Sequence, residues 1–116
     1  MSLIVPVYLT EDGRQAREEA EASTMHFFRS IAEALGRGGT RREEAARLGR
    51  MTYPEILEEL VVYGSPDAVT ERLLELRESL GYSSLSVWMN VGGRIPHERV
   101  LGSMRLFAER VIPRLR

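Results

Sequence analysis

The sequence predicts an α/β fold with parallel strands, and three observations predict it. Apolar runs rich in β-branched and aromatic residues occur at positions 3–9, 61–63 and 84–91. A segment of helical period follows each run, and a turn or capping residue stands at each strand-to-helix boundary. Repeated strand–helix order implies parallel strands joined by right-handed crossovers. At 116 residues the chain has material for one hydrophobic core and not for two, so residues 1–116 are read as a single domain.

The first strand, 3–9, has no polar alternation, which suits a strand covered on both faces. Pro6 lacks an N–H and fits an edge strand or a bulge better than a central strand. Thr10 is placed to cap a helix whose first turn holds Glu11 and Asp12, matching the positive end of the helix dipole. Ala16, Ala20, Phe27, Ile31 and Leu35 then recur at helical spacing until Gly36-Arg37-Gly38-Gly39. Residues 40–50 predict a short, highly charged helix that forms a surface excursion. Pro54 opens another short helix through Glu59. Val61-Val62-Tyr63 before a turn favours a second strand over a helix end.

Ser65-Pro66-Asp67 supplies a cap, a proline at the first helical position and an acid in the first turn. Val69, Leu73, Leu76 and Leu80 follow on one stripe, and Gly81 stands where a left-handed helix end is expected. The third strand, 84–91, leads through Gly92-Gly93-Arg94-Ile95 to Pro96. Pro96 opens a last helix whose stripe runs from Val100 through Met104, Phe107 and Val111 to Leu115.

Composition excludes several functions. Sixteen basic and 17 acidic side chains give a net charge of -1, which offers no field for gathering nucleic acid or anionic lipid. There is no cysteine, which removes disulfides, thiolate catalysis and Cys-ligated metals; every basic residue is Arg, which removes lysine Schiff-base chemistry. No apolar run is long enough to cross a bilayer, and the N-terminus has no basic segment of the kind that begins an export signal. A cytoplasmic protein is expected.

The text Tyr63-Gly64-Ser65-Pro66-Asp67-Ala68-Val69-Thr70-Glu71-Arg72-Leu73, then Leu85-Ser86-Val87-Trp88-Met89-Asn90-Val91-Gly92-Gly93, then Pro96-His97-Glu98-Arg99-Val100-Leu101 continuing to Phe107-Ala108-Glu109-Arg110-Val111-Ile112-Pro113-Arg114-Leu115, resembles the end of a luciferase-like flavin-dependent monooxygenase. Val5-Pro6-Val7-Tyr8-Leu9 resembles that family's sixth strand less distinctively. The resemblance implies a partial TIM barrel: three βα units with parallel strands and a helical insertion after the first helix, forming the C-terminal part of a (β/α)8 barrel. It implies FMN or a deazaflavin as cofactor in the parent family. A whole barrel takes about 250 residues, so most of the flavin site is absent and no flavin is expected to bind the isolated chain. A fragment or truncated relative of the enzyme, inactive alone, is one reading; a non-catalytic standalone α/β binding or assembly module is the other.

Ligands in such folds meet the loops after the strands, here Tyr8-Leu9-Thr10, Tyr63-Gly64-Ser65 and residues 90–94. Asn90, Gly92, Gly93 and Arg94 are the ligand-facing candidates, because glycines admit close backbone approach and Arg94 offers a fork of donors to an anion. The competing reading is a turn that merely needs glycine, with Arg94 as a solvated charge. Ser65 reads as a helix cap more than a phosphate site, Trp88 as a packing residue, and His26 and His97 form no acid–base pair. No catalytic or metal-binding residue is assigned. Three strands with helices on one side would leave an open face drawn from Val5, Val7, Val61, Val87, Trp88 and Met89. Self-association, or a complementing N-terminal barrel portion, is therefore expected to cover it.

Overall fold

The computed structural model describes residues 1–38 and 41–116. Strand β1 (Ser2–Leu9) is followed by α1 (Gly13–Gly38), α2 (Arg42–Arg50), α3 (Tyr53–Glu59), β2 (Val62–Gly64), α4 (Pro66–Leu80), β3 (Ser84–Trp88) and α5 (His97–Leu106). A π-turn over Phe107–Val111 and a final helical turn, α6 (Ile112–Leu115), complete the chain. The fold is mixed α/β with a three-stranded parallel sheet, and α2 and α3 form the expected insertion after the first helix. Gly39 and Thr40, the end of one expected helix boundary and the start of the next, lie outside the described residues.

The strands do not lie in chain order. The sheet runs β2-β1-β3, so β1 is central. It pairs with β3 from Ser2↔Ser84 to Pro6↔Trp88, and with β2 from Val7↔Val62 to Leu9↔Gly64. This corrects the expected edge position of Pro6. The proline sits where one partner ends and the other begins, so its missing N–H falls at the changeover between two ladders.

That order also moves the helices. The path from β1 to β2 and the path from β2 to β3 run in opposite directions across the sheet, and two crossovers of one hand must then cover opposite faces. Val5, Val7 and Leu9 pack with Val69 and Leu73 of α4 and with Phe107 and Val111. Tyr8, of opposite parity, packs with Ala16 and Ala20 of α1 and with Ile95. A third cluster, Phe28, Met51, Ile56 and Val61, fills the space between α1 and α3. The expected single-sided arc is thus covered on both faces near the strand ends. Val5, Val7, Val87 and Met89 belong to the α4 side and Val61 to the third cluster. Of the expected open-face residues, Trp88 alone stays on it, half exposed and edge-on to Phe27 with ring centroids 6.3 Å apart.

Local signals explain most boundaries. Ser65 caps α4 by accepting the Ala68 amide hydrogen at 3.2 Å, Pro66 occupies the first turn, and Gly81 closes the helix at φ 67°. Thr52 and Glu55 form a reciprocal capping box on α3. At α1 the expected cap is displaced. The Thr10 hydroxyl donates to the Asp12 carbonyl, and Asp12 Oδ1 accepts the Arg14 amide hydrogen at 3.0 Å, so the helix starts at Gly13, two residues later than Thr10 as a cap would place it. The third strand ends at Trp88, short of Val91, because the chain turns toward the glycines. Pro113 has no N–H and its ring crowds the carbonyl four residues back; the preceding turn widens, and the Ile112 amide bonds Phe107 O.

Adjacent residues of β1 test this account of the faces. Val7→Ala, at a fully buried site, is expected to lower unfolding free energy by about 2 kcal/mol. Ile4→Ala, 60% exposed, is expected to cost less than about 1 kcal/mol in the same urea titration.

Candidate functional site

In an open parallel sheet the place for a ligand is the carboxyl end of the strands, and the central strand contributes most to it. At the end of β1 a cleft of about 530 Å³ opens between the start of α1 and α5, lined by Tyr8, Thr10, Gln15, Glu19, Arg99 and Ser103 among others. The Tyr8 hydroxyl donates to Glu19 Oε1 at 2.7 Å, and Gln15 Nε2 donates to Glu19 Oε2 at 2.8 Å. Arg99 Nε stands 3.9 Å from the same carboxylate, whose side chain is only 13% exposed. Burial alone would raise the Glu19 carboxyl. The hydrogen bonds from Tyr8 and Gln15 and the Arg99 charge outweigh it and hold Glu19 below the usual carboxylate range. Burial, reinforced by the Glu19 bond and charge, pushes the Tyr8 phenol up.

This cluster is a neutral phenol, an ionised carboxylate and a guanidinium with donors to spare, an arrangement suited to binding a polar group. It lacks the parts of an acyl-transfer site. The Ser103 hydroxyl accepts the Leu9 amide hydrogen at 3.0 Å and donates to Met89 Sδ at 3.3 Å, so no base activates it. Among the described residues no group of three His, Cys, Asp or Glu could hold a metal ion.

The 90–94 loop is fixed by side-chain hydrogen bonds. Asn90 spends both ends of its amide on Ile95: Nδ2 donates to Ile95 O at 3.1 Å, and Oδ1 accepts the Ile95 N–H at 3.0 Å. Gly92 and Gly93 have φ of 85° and 67°, and a Cβ on Gly92 would overlap the Ser23 carbonyl oxygen of α1. Ser23, itself buried, donates to Val91 O at 2.5 Å and accepts the Arg94 amide hydrogen at 3.0 Å. The loop is thereby pinned to α1. The exposed Arg94 side chain lines a separate groove of about 730 Å³ along α1 with Glu18, Glu21, His26 and Glu33. His97 opens α5, on another element from His26.

Of the other candidate loop, Tyr63 bonds Thr24 Oγ1 at 2.7 Å, and its burial pushes the phenol up to about 12 against the effect of that bond. Glu19, Gln15, Arg99 and Ser103 were not among the expected site residues. In sequence they are indistinguishable from their charged and small neighbours on helix faces.

A flavin mononucleotide needs a cradle for its phosphate, and the helix starts at this edge do not supply one. The Arg14 amide is already bonded to the Asp12 carboxylate, Ser65 and Pro66 account for the start of α4, and α5, which no side chain caps, carries Glu98 in its first turn, a charge that repels an anion. No buried side-chain polar atom among the described residues lacks a partner, so none is left waiting for a ligand. The residues present do not fit the flavin phosphate.

The class defined so far is a parallel α/β sheet with a polar cleft at the end of its central strand. No family model and no curated protein matches the chain. Solved structures do. The chain is similar to the oxygenating constituent of 3,6-diketocamphane monooxygenase from the CAM plasmid of Pseudomonas putida, a type II Baeyer-Villiger monooxygenase in complex with FMN (21% identity, TM-score 0.72). That match covers 97% of this chain and 33% of the other. It is similar also to monooxygenase RslO1 from Streptomyces bottropensis (25% identity, TM-score 0.61), covering 99% of this chain and 31% of that one. A third likeness is to apo-MsnO8 (25% identity, TM-score 0.59), over 94% and 33% respectively. The chain spans about a third of the length of these structures. No helix among the described residues is long and apolar enough to cross a membrane.

Gly92→Ala is expected to lose about 3 kcal/mol, from steric overlap with Ser23 plus a strained φ, whereas Gly93→Ala, with open space around it, loses about 1 kcal/mol; urea midpoints measure both. Glu19 contributes to the acid dependence. Its folded pKa lies below the unfolded value of 4.5, so its contribution is present above that pH and is lost as pH falls through the folded value. Between pH 5 and 3, roughly, Glu19→Gln is expected to show a shallower loss of stability than the parent chain.

Proposed function

We propose that the chain is a C-terminal fragment, or a truncated relative, of a luciferase-like monooxygenase barrel that uses FMN or a deazaflavin, and that it is inactive alone. The observation that carries this reading is the superposition of 97% of the chain on a third of an FMN-bound monooxygenase, at a TM-score of 0.72. The resemblance of residues 63–73, 85–93 and 96–115 to the end of that family supports it from the sequence. The parallel direction of all three strands agrees with a barrel, while their order, β2-β1-β3, departs from the consecutive order of barrel strands. The poor fit to a flavin phosphate is what a part lacking the other strands would have. In the completed enzyme Asn90, Gly92 and Gly93 would shape the loop and Arg94 would present it to a ligand. The cell compartment in this reading is the cytoplasm, and the partner is either a second copy or a complementing N-terminal barrel portion.

One observation favours the second reading, a standalone α/β binding or assembly module: the described residues leave no buried side-chain polar atom unpaired. Titrating the isolated chain with FMN, followed by flavin absorbance and fluorescence, tests the first. No saturable change is expected at micromolar protein. Stoichiometric binding by the chain alone would overturn the incomplete-site reading.

A further inference from the structure

We infer that a second copy of this chain docks on the outer edge of β3, extending the sheet across a twofold axis at Ser86. The inference rests on the chain being an incomplete fold, as proposed above, and commits to one surface and one partner.

The sheet has two edges, and they are guarded differently. β2 is three residues long and has buried ends, which leaves little to pair. β3 has five residues and one neighbour, β1. Ser84-Leu85-Ser86-Val87-Trp88 contains no charge and no proline, the devices that ordinarily keep an exposed edge from pairing. Burial along it alternates, with Leu85 and Val87 half-buried toward α4 and Ser84, Ser86 and Trp88 exposed.

That alternation is self-complementary. An antiparallel copy centred on Ser86 sets Leu85 opposite Val87 and Val87 opposite Leu85, apolar on apolar on the helix-covered face. On the other face Ser86 meets Ser86, and Trp88 meets Ser84, which already shares a 2.6 Å Oγ–Oγ hydrogen bond with Ser2. No like charges oppose one another. The exposed Ile4 and Trp88 of both copies then lie on one continuous face, at 60% and 50% exposure before association. The contact is isologous and closed: both copies use the same strand. A pairing of β3 with some other edge would be head-to-tail and would build rings or filaments in place of a dimer.

The absence of cysteine makes the test clean, since a single introduced thiol is the only one present. In this arrangement the two copies of residue 86 face each other with Cα atoms about 5 Å apart, within disulfide reach. The two copies of residue 84 are separated by roughly 13 Å. Sedimentation of the unmodified chain is expected to show a dimer at micromolar concentration. Under mild oxidation Ser86→Cys should crosslink to a covalent dimer at least tenfold faster than Ser84→Cys, with both variants folded by circular dichroism. A monomer overturns the inference, and so does a dimer in which the two thiols crosslink at equal rates. Neither result touches the FMN titration, so failure of this interface and failure of the proposed function are distinguishable.

Discussion

The backbone of β1 is the constraint on which the remaining structure depends. Eight residues in one extended segment are satisfied by two different strands in succession, β3 through Pro6 and β2 from Val7 onward. Toward its carboxyl end β1 hides its side chains on both faces by parity, while Ile4 nearer its start stays exposed. Val5, Val7 and Leu9 enter the layer under α4 and the π-turn, while Tyr8 enters the layer under α1. The tail is tied to the end of β1, through the Arg110 guanidinium on both oxygens of Glu11 at 2.8 and 2.9 Å. That pair is solvent-exposed and contributes little energy; it orients the last helix.

Around this strand, short polar side chains do the joining where the backbone leaves a gap. Ser103 takes the Leu9 amide where β1 has outrun its ladder to β3, Ser23 fastens the glycine loop to α1, and Thr24 meets Tyr63 beneath the same helix. Each is buried and each is paired, so the interior pays no penalty for containing them. The same pairing fixes the character of the cleft at the strand end. Its carboxylate is ionised because phenol, amide and guanidinium converge on it, which makes the cleft a preformed polar surface without a nucleophile.

How much of this could be read from residues alone varied with the physics of each feature. The helix of Ser65, Pro66 and Gly81 was legible because capping is local: a hydroxyl reaches an amide three residues on, whatever the remaining chain does. The start of α1 was less so, since Thr10, Asp12 and the helix compete for the same few groups, and Asp12 wins the Arg14 amide. Strand order was not legible. An all-apolar run such as residues 3–9 carries no parity, so it cannot say that Val7 turns to α4 and Tyr8 to α1, nor that Pro6 falls between two partners. The cleft was hidden for a related reason. Glu19 and Arg99 sit on helices crowded with Glu and Arg, and only packing shows which of them converge. The glycine loop was found in sequence, with its closest approach made to Ser23.

Amide hydrogen exchange along β1 tests the centrality of this strand most directly. If β1 is paired on both sides and buried on both faces, its amides from Val7 to Leu9, where one ladder takes over from the other, should be among the slowest in the chain and exchange only on global unfolding. Fast exchange there, at the rate of the surface helix α2, would contradict the account.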